Sequence, residues 1–255
     1  PESFEESMDS NGVSKYTHCE IHNSLMFGMM CNMIIFPENN PATRNSFSCG
    51  QSKQASSLYH TNYQLRMDKT AVLLNYGQTP LVKSRFLDHI NKEENVYGEN
   101  AIVAIMAYTS YNVEDAVLIN EGSLERGLFR TTYFTTYEVH EEKDVVNGDT
   151  VIKSITNIEN DKTIIGLKPG YDYSKLDEYG VIKEGSVINE KTILIGMASS
   201  NSQQPNSKID MSKGTKKGQL GVVDKVFITE GEEGQRICKV RVREVRIPNI
   251  GDKFA

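Results

Sequence analysis

Two adjacent carboxylates, Glu114 and Asp115, are the residues whose types and spacing most directly indicate chemistry. They follow a polar interruption in the apolar-rich stretch 101–120, AIVAIMAYTSYNVEDAVLIN. An apolar run that ends in turn residues is typical of a buried strand, so we expect such a strand to present both acids at its exit. Placing charge beside buried apolar residues is unfavourable unless the charge meets a metal, a cation or water. We take this as a first indication of a functional site.

A second group of candidate residues lies earlier in the chain, after the turn at residues 39–41. Arg44 stands alone there, and Lys53 and Gln54 follow within a run of small polar residues. Small residues allow close backbone approach, and the planar fork of Arg binds phosphate. The alternative is a solvated loop followed by a surface helix, and composition alone favours that alternative.

A third group lies in the segment 239–255, KVRVREVRIPNIGDKFA. Cations alternate with valines at its start, so an extended chain would carry the cations on one face and the valines on the other. These cations are Lys239, Arg241 and Arg243. A turn through Gly251, Asp252 and Lys253 follows, and a cationic face that leads to it would suit a phosphate site. The alternative interpretation, an amphipathic edge strand protected from aggregation by a lysine, is supported equally well by the sequence.

The segment THCEIH contains a mixed set of metal-ligand residue types. They are His18, Cys19, Glu20 and His22. Such a set either binds a metal or caps and packs the start of a helix, and we favour the cap because no further His/Cys pair at ligand spacing follows. Apolar residues at helical spacing predict one helix from Ile21 to Ile34, ended by Pro37.

Most of the second half of the sequence predicts β-structure. From Thr131 to about Lys239, short runs of β-branched and aromatic residues are separated by Gly, Asn and Asp, which indicates a small β-rich subdomain. Its Ser-, Gln- and Lys-rich part, residues 199–218, predicts a mobile loop. That loop carries Lys213, Lys216 and Lys217. These lysines either contact a nucleic-acid backbone or lie in a solvated loop, and we favour the solvated loop.

The composition limits the classes of protein to consider. The 255 residues allow one large domain or two modest ones, and 38% hydrophobic with 24% charged residues is typical of a soluble globular protein. The net charge of -6 provides no global basic field, so nucleic-acid contacts would need local basic groups or partner chains. The apolar-rich stretch 25–36 is shorter than the roughly 20 residues that span a bilayer, and the acidic N-terminus is not a signal peptide.

The four cysteines are scattered and show no C-x-x-C spacing, so we expect no structural zinc. They are Cys19, Cys31, Cys49 and Cys238. Their distribution in a chain of this length suits free thiols in a reducing compartment.

The acidic segment and its flanks, GENAIVAIMAYTSYNVEDAVLINEGSLERGLFR, closely resemble the active-centre segment of the second-largest subunit of multisubunit RNA polymerases. The eukaryotic RNA polymerase II type is the nearest. Four further motifs, THCEIH, FPENNPATRNSFSCGQSKQA, HTNYQLRMD and RVREVRIPNIGDKFA, resemble the family in order and spacing. The similarity covers roughly residues 14–140 and 218–255, and it is only loose between them.

This resemblance implies a mixed α/β, β-rich fold that forms part of a double-psi β-barrel hybrid-binding region with an inserted β-rich flap or wall subdomain. It divides the chain into a flexible lead-in (1–15), a first part of the hybrid-binding region (16–130), a flap/wall-like subdomain (131–240) and a truncated second part (241–255). We expect a piece of a longer protein. The Asn-, Lys- and Ile-rich composition suggests an AT-rich genome such as that of a large DNA virus.

The resemblance also implies roles for the acidic pair. Nucleotidyl transfer uses two Mg²⁺ ions, and in the family the largest subunit supplies three aspartates that hold the permanent ion. Asp115 is assigned to the second, nucleotide-borne Mg²⁺, through water. Glu114 is assigned as a supporting charge, because neighbours on an extended chain point to opposite sides.

Four further residues match family positions. Arg44 corresponds to the arginine that contacts the incoming triphosphate, and Gln54 to a glutamine near the RNA end. Lys253 corresponds to a lysine that contacts RNA near its 3′ end. Arg246 occupies the companion position, where RNA polymerase II-type sequences often have Lys.

The function implied is that of a DNA-directed RNA polymerase fragment that is inactive alone and shares Mg²⁺ with the largest subunit, without zinc. Its partners would be the largest and other polymerase subunits, template DNA, the RNA–DNA hybrid and nucleoside triphosphates, with no membrane. Its location would be the nucleus or a cytoplasmic viral factory, inside the cell. A non-catalytic nucleic-acid-binding β-module or a decayed paralogue is the alternative.

Overall fold

The computed structural model describes residues 7–8, 14–15, 18–91, 94–146, 148–201 and 204–255. The chain divides into two compact units, one of Pro1–Ala55 with Thr79–Glu94 and one of Ser56–Gln78 with Asn95–Ala255. Across the described residues the fold is β-rich with few helices and several sheets, as the sequence predicts. None of the helices in those ranges is long and apolar enough to cross a membrane.

Strands outnumber helices, and most strands follow Thr131. The helices are α1 (Met29–Asn32), α2 (Ala42–Ser52), α3 (Leu87–Asn91) and α4 (Glu121–Glu125). The strands are β1 (Ser7–Met8), β2 (Ser14–Lys15), β3 (Thr70–Leu74), β4 (Thr131–His140), β5 (Glu142–Val146), β6 (Asp149–Ile155), β7 (Ile164–Ile165), β8 (Val187–Ile188), β9 (Ile193–Ile195), β10 (Met197–Asn201), β11 (Gln204–Asp210), β12 (Lys213–Gly214), β13 (Gly221–Glu230) and β14 (Arg236–Arg246).

The start of the first unit is only partly described. The expected flexible lead-in, residues 1–15, lies outside the described residues except for the antiparallel pair β1–β2. The helix expected from Ile21 to Ile34 is wrong, because α1 is short and a separate 3-10 turn, Asn23–Met26, precedes it. Between them Phe27 and Gly28 are extended, and a glycine favours such a break because it loses most backbone entropy on entering a helix.

His22 caps the 3-10 turn. Its Nδ1 accepts the N–H of Ser24 at 3.0 Å, so the capping interpretation of THCEIH is confirmed at this residue. The described part of the chain contains no group of three or more His, Cys, Asp or Glu side chains that could hold a metal ion. The metal interpretation of this segment therefore has no support.

A five-stranded antiparallel sheet, in the order β3-β4-β14-β13-β8, forms one side of the second unit. The long pairing of β4 with β14 sets Val240 opposite Tyr137 and Val242 opposite Thr135. β14 has a neighbour on both sides, so the edge-strand interpretation of KVRVREV is wrong. Val240 and Val242 are fully buried because they face the core, as their alternation predicts.

A second sheet, in the order β5-β6-β10-β11-β7, contains most of the segment expected to be a mobile loop. β10, β11 and β12 lie in or overlap residues 199–214, so the loop prediction is wrong for the described residues of that part. Residues 215–218, with Lys216 and Lys217, lie outside any strand and end in a turn. Ser and Gln there do not predict a strand. The strand arises because β10 pairs with β6 over five consecutive residue pairs, which satisfies its backbone hydrogen bonds.

A buried polar network also fixes the end of this segment. The carboxylate of Asp210 accepts hydrogen bonds of 2.5 Å from the hydroxyls of Tyr173 and Ser212. Burial and the hydrogen bond to Asp210 raise the pKa of Tyr173 to about 12, so the phenol stays protonated and donates. Such a satisfied network specifies one arrangement of the chain, whereas an unsatisfied buried carboxylate would be costly.

The main core is formed by side chains of the segment 181–195 and of the five-stranded sheet, joined by residues such as Ile155 and Ile158. Its fully buried members include Val181, Ile193, Leu194, Ile195, Val223, Val240 and Val242. Gly180 is needed at its edge, because its φ is +82° and a Cβ there would collide with the carbonyl group of Thr156. The expected domain divisions at residues 15, 130 and 240 stay predictions.

Glu141 links the two sheets. Its Oε1 accepts hydrogen bonds from Nη2 of Arg236 at 2.6 Å and from the N–H of Ile155 at 2.8 Å. Arg236 begins β14 of the first sheet, and Ile155 ends β6 of the second. Burial acts to raise the pKa of Glu141, but the hydrogen bonds from Arg236 and Ile155 outweigh it and lower the pKa below the ordinary 4.5.

We expect Glu141→Gln to destabilise the fold by roughly 1–3 kcal/mol, the range for hydrogen bonds that involve a charge. Because the folded-state pKa is lowered, the carboxylate stabilises fully above about pH 4.5, and this stabilisation is lost as the pH falls through the folded-state pKa. Urea unfolding at several pH values measures the difference between wild type and variant, which should narrow in acid. A difference that stays constant between about pH 7 and about pH 3 contradicts the assignment. The exposed Glu178→Gln serves as control.

Candidate functional site

The stretch 101–120 is not a buried strand, so that prediction is wrong. Ile102 and Ile105 are 105% and 99% exposed, and the backbone up to α4 is irregular. An apolar run becomes a strand only where a neighbouring strand completes its hydrogen bonds. No strand among the described residues pairs with this run.

The two acids occupy the centre of a tight turn. The N–H of Ala116 donates to the carbonyl of Val113 at 3.4 Å, and Glu114 and Asp115 between them have φ values of 56° and 66°. Positive φ at both central residues is the pattern of a type I′ turn, which Asp tolerates better than most residues. The chain is therefore not extended here, and the argument that the two side chains point to opposite sides does not apply.

Asn112 organises the chain just before the acids. Its Oδ1 accepts the N–H of Tyr108 at 3.0 Å, and its Nδ2 donates to the carbonyl of Met106 at 2.6 Å. The preceding turn, 108–111, also has positive φ, 48° and 64°, at its two central residues. Positive φ outside glycine costs of order 1–3 kcal/mol per residue and is concentrated at functional sites.

Both acid side chains are exposed and form no ion pair within the described ranges. Carboxylate oxygens are the hard ligands that Mg²⁺ prefers. Two neighbouring carboxylates on one turn can supply only part of the six ligands of a magnesium ion. The turn fits a contribution to a metal site whose other ligands come from elsewhere.

Arg44 lies in the first turn of α2, where sequence reasoning left a choice between a phosphate-binding loop and a surface helix. The helix begins after Pro41, and Asn45 fastens it by donating to the carbonyl of Pro37 at 2.8 Å. The Arg44 guanidinium lies over the ring of Phe47, 5.7 Å from the centroid, and has no acidic partner in the described part of the chain. Its charge therefore remains available to an anion.

Gln54 follows α2 directly, two residues beyond its last residue Ser52. Its backbone N–H donates to the carbonyl of Gln51 at 3.0 Å, which places it in the turn that ends the helix. Its side chain is exposed, as is that of Lys53. Arg44 and Gln54 belong to the first compact unit, and the acidic turn belongs to the second.

The predicted residues at the end of the chain come together in one turn. The guanidinium of Arg246 pairs with Oδ1 of Asp252, and Oδ2 of Asp252 accepts the N–H of Asn249 at 2.9 Å. Gly251 has a φ of 99°, which only a glycine adopts readily. Lys253 is exposed and has no acidic partner among the residues described around it.

Phe254 anchors this turn to the rest of the second unit. Its ring packs against that of Phe129, with centroids 5.1 Å apart. The N–H of Phe129, a residue with φ of 53°, donates to the Glu99 carboxylate at 3.1 Å. The contact joins the ends of two of the motifs that the sequence singled out.

The cationic face expected along β14 does not exist as a free phosphate surface, so that prediction is wrong. Arg241 is 3% exposed and donates from Nε to Oδ2 of Asp224 at 2.7 Å. Its guanidinium also lies 4.9 Å from the ring centroid of Phe134 and donates to three backbone carbonyls. These acceptors are Tyr63, Gln64 and Arg66.

The other two cations of the predicted face also have acidic partners. Lys239 pairs with Glu138 at 3.2 Å, and Arg243 reaches Asp224 at 3.5 Å. Asp224 faces Arg241 and Arg243 because the β13–β14 register shifts between Val223 and Lys225, and such a bulge redirects a side chain. The signal that sequence reasoning missed is this single Asp within an apolar strand.

The sequence comparisons agree with the motifs. Residues 30–255 match the family model described as RNA polymerase Rpb2, domain 6. The chain belongs to this family, which places it among the second-largest subunits of DNA-directed RNA polymerase, and the resemblance inferred from the motifs is confirmed.

Similar curated proteins come from eukaryotes and archaea. DNA-directed RNA polymerase II subunit 2 of Arabidopsis thaliana is 39% identical over 250 residues, which cover 95% of this chain and 21% of that protein. DNA-directed RNA polymerase II subunit RPB2 of Schizosaccharomyces pombe is 38% identical, with coverages of 95% and 20%. DNA-directed RNA polymerase subunit Rpo2 of Saccharolobus solfataricus is also 38% identical, with coverages of 94% and 22%. The chain thus spans about a fifth of the length of the curated relatives it matches.

Arg241→Lys should destabilise the chain by roughly 2–3 kcal/mol. Lys keeps the charge but lacks the planar fork, and complete loss of one partner of a buried ion pair costs about 3–5 kcal/mol. The unfolding midpoint in urea measures the change. The half-exposed Arg243→Lys is the matched control and should shift stability by no more than about 0.5 kcal/mol. Equal effects of the two substitutions contradict the role given to Arg241.

Proposed function

We propose that this chain contributes to the nucleotidyl-transfer centre of a DNA-directed RNA polymerase and to binding of the RNA–DNA hybrid. The match of residues 30–255 to the second-largest-subunit family carries the proposal. The exposed acidic turn and the exposed cations at Arg44 and Lys253 support it, because a site shared with other chains needs charges that are not neutralised within this one. Alone, the chain would be inactive.

Asp115 would help to hold the nucleotide-borne Mg²⁺, and Glu114 would be a supporting charge beside it. When bound, this ion would escort the triphosphate and stabilise the departing pyrophosphate, while the permanent ion held by the largest subunit would activate the RNA 3′-hydroxyl. Asp115 would act on the ion through a water molecule. The type I′-like turn sets both carboxylates at one exposed point, which suits this shared task.

Arg44 would stabilise the negative charge that develops on the pyrophosphate oxygens as the bond breaks. A guanidinium is well suited, because it is always charged and presents its donors in a rigid fork. α2 fixes the backbone of Arg44, so little reorganisation is needed during the reaction. Gln54, at the end of the same helix, would contact the RNA end.

Lys253 would contact the RNA backbone near the 3′ end, and Arg246 would assist it. Arg246 would assist by stabilising the turn that presents Lys253, through its ion pair with Asp252. Lys253 then supplies the cation for the phosphate, a contact that positions RNA without reading its sequence.

The remaining expectations form part of the same proposal. The second unit would include part of a double-psi β-barrel with an inserted flap or wall subdomain, divided as the sequence predicts. The partners would be the largest and other polymerase subunits, template DNA, the hybrid and nucleoside triphosphates, with Mg²⁺ as cofactor. The site of action would be the nucleus or a cytoplasmic viral factory.

Asp115→Ala in the assembled polymerase should slow single-nucleotide addition by a factor of roughly 10–1,000, the scale for loss of one group that stabilises transition-state charge. Raising the Mg²⁺ concentration should restore part of the rate if the carboxylate acts on the ion. Rapid-quench extension of a primed RNA measures both effects. The matched control is the exposed Glu178→Ala, which should leave the rate unchanged. Normal elongation by the Asp115→Ala enzyme would contradict the assignment of Asp115 to the magnesium ion.

Arg44→Ala should raise the apparent KM for nucleoside triphosphate or lower kcat, because a phosphate contact is lost. Arg44→Lys should recover part of the loss, since the charge returns without the fork. Nucleotide titrations of the assembled enzyme separate the two constants. Arg85→Ala, an exposed arginine of the same unit, is the control. If KM and kcat are both unchanged in Arg44→Ala, the proposed contact between Arg44 and the triphosphate is wrong.

The alternative of a free-standing nucleic-acid-binding module makes a different prediction. Three cations of β14, Lys239, Arg241 and Arg243, pair with Glu138 or Asp224, so the predicted basic face is neutralised. A gel-shift assay of the chain alone should therefore show weak RNA binding, and the chain should co-purify with the largest subunit. Tight RNA binding without a partner favours the module.

A further inference from the structure

Glu99 connects two segments of the second unit that carry candidate site residues. It stands two residues before the stretch 101–120 with the acidic turn, and its side chain reaches the chain just after α4. Both of its carboxylate oxygens lie 3.1 Å from the backbone nitrogen of Phe129, whose N–H they accept. The Glu99 side chain is half-buried, and a hydrogen bond to an ionised acceptor is stronger than one between neutral groups.

Gln78 holds the backbone on both sides of Glu99. The N–H of Gln78 donates to the carbonyl of Gly98 at 2.8 Å, and Oε1 of Gln78 accepts the N–H of Asn100 at 2.9 Å. The carboxylate is therefore carried by a fixed piece of backbone. Because that backbone is already ordered, little further entropy is lost when the bond to Phe129 forms.

Phe129 depends on this bond because its backbone is in the left-handed region. Its φ is 53°, which is unfavourable for a bulky side chain. The N–H groups of Gly127 and Leu128 close the end of α4 by donating to carbonyls within that helix. The N–H of Phe129 is accepted by Glu99 instead. A strained residue of this kind persists only where its surroundings fix it.

The ring of Phe129 supports the turn that presents Lys253. Phe254, which directly follows the lysine, packs on that ring with centroids 5.1 Å apart. Asp252, which directly precedes the lysine, pairs with Arg246 at the end of β14. Lys253 is itself exposed, so an exposed cation stands between two neighbours that are both held by the rest of the unit.

We propose that Glu99 is a positioning residue for the RNA contact of Lys253. Its hydrogen bond sets the backbone of Phe129, the ring of Phe129 sets Phe254, and Phe254 fixes the place where the lysine is presented. A cation held in one place loses less conformational entropy on binding a phosphate than a cation on a mobile segment. This role rests on the proposed contact between Lys253 and the RNA backbone.

The role requires the reach of the Glu99 side chain and not its charge. Glu99→Asp keeps the carboxylate but is one methylene shorter, so it should lose the bond to Phe129. Glu99→Gln loses the charge but keeps an oxygen that can accept the N–H. We therefore expect the Asp variant to be impaired and the Gln variant to stay close to wild type. A purely electrostatic role would give the reverse order.

Primer extension by the assembled polymerase measures the effect, with the concentration of a short RNA primer varied to separate KM from kcat. Glu99→Asp should raise the KM for primer by roughly 2- to 100-fold, the factor that corresponds to coupling energies between residues in contact, and should change kcat less. KM should also rise less steeply with salt, because losing one phosphate contact lowers the slope against log salt by about 0.7. The exposed Glu178→Ala is the control and should match wild type.

A double-mutant cycle with Lys253→Ala shows whether Glu99 acts through the lysine. In the Lys253→Ala background, Glu99→Asp should have no further effect on the KM for primer. An effect of equal size in both backgrounds overturns the positioning role, since it would show that Glu99 supports the enzyme in some other way. A normal KM in the single Glu99→Asp variant also overturns it.

The same cycle separates this role from the proposed function. If Lys253→Ala leaves the KM for primer unchanged, the proposed RNA contact is wrong, and the positioning role is lost with it. If Lys253→Ala raises KM while Glu99→Asp and Phe254→Ala do not, only the positioning role is wrong. Phe254→Ala removes a partly exposed ring, so it tests the same path even if Glu99→Asp does not assemble.

Discussion

The buried guanidinium of Arg241 is the interaction on which the second unit most depends. A charge in a core is tolerated only when it is paired and its donors are satisfied. Asp224 supplies the countercharge, and the backbone carbonyls of the segment 63–66 take the remaining donors. One side chain therefore ties strand β14 to its neighbour β13 and to a segment nearly 180 residues earlier in sequence. The loop that leads into β3 has its conformation fixed by a residue of β14.

This pairing decides which cations are available for other molecules. The sequence suggests that β14 is the basic surface of the chain. In the structure, however, Lys239, Arg241 and Arg243 each form an ion pair with an acidic residue of β4 or β13. Arg44 and Lys253 are single cations on a helix and a turn, where no acidic neighbour in the described part of the chain neutralises them. For a chain of net charge -6, isolated unpaired cations are more informative about anion binding than the local density of Lys and Arg.

The sequence predicts the β-structure after Thr131 well, because alternation and turn residues are local signals that the final pairing does not overturn. It fails for much of residues 199–218, where polar composition suggests a loop but pairing of β10 with β6 and of β11 with β10 makes strands. It fails for residues 101–120 for the opposite reason, since an apolar run needs a partner strand that the described chain does not provide.

The candidate site shows the same division between local and distant signals. Family motifs predict which residues to consider, including Asp115 and Arg44. They do not predict backbone shape, and the positive φ values around Glu114 depend on turns that a strand pattern conceals. Asn112 offered a local signal, because Asn favours turns and bonds its own backbone neighbours. The burial of Arg241 had no signal in its own strand, since its countercharge Asp224 lies in β13 and its carbonyl acceptors lie nearly 180 residues earlier.

The bulge at Asp224 makes strand β13 sensitive to length at that position. Removing this one residue would restore an uninterrupted hydrogen-bond ladder between β13 and β14. Judged by backbone hydrogen bonds alone, the pairing of the two strands would improve. The same deletion would leave the core with an uncompensated positive charge. Among homologous chains, substitutions should therefore accumulate along β13 much more readily than insertions or deletions, and an alignment gap at residue 224 should coincide with replacement of the arginine across from it.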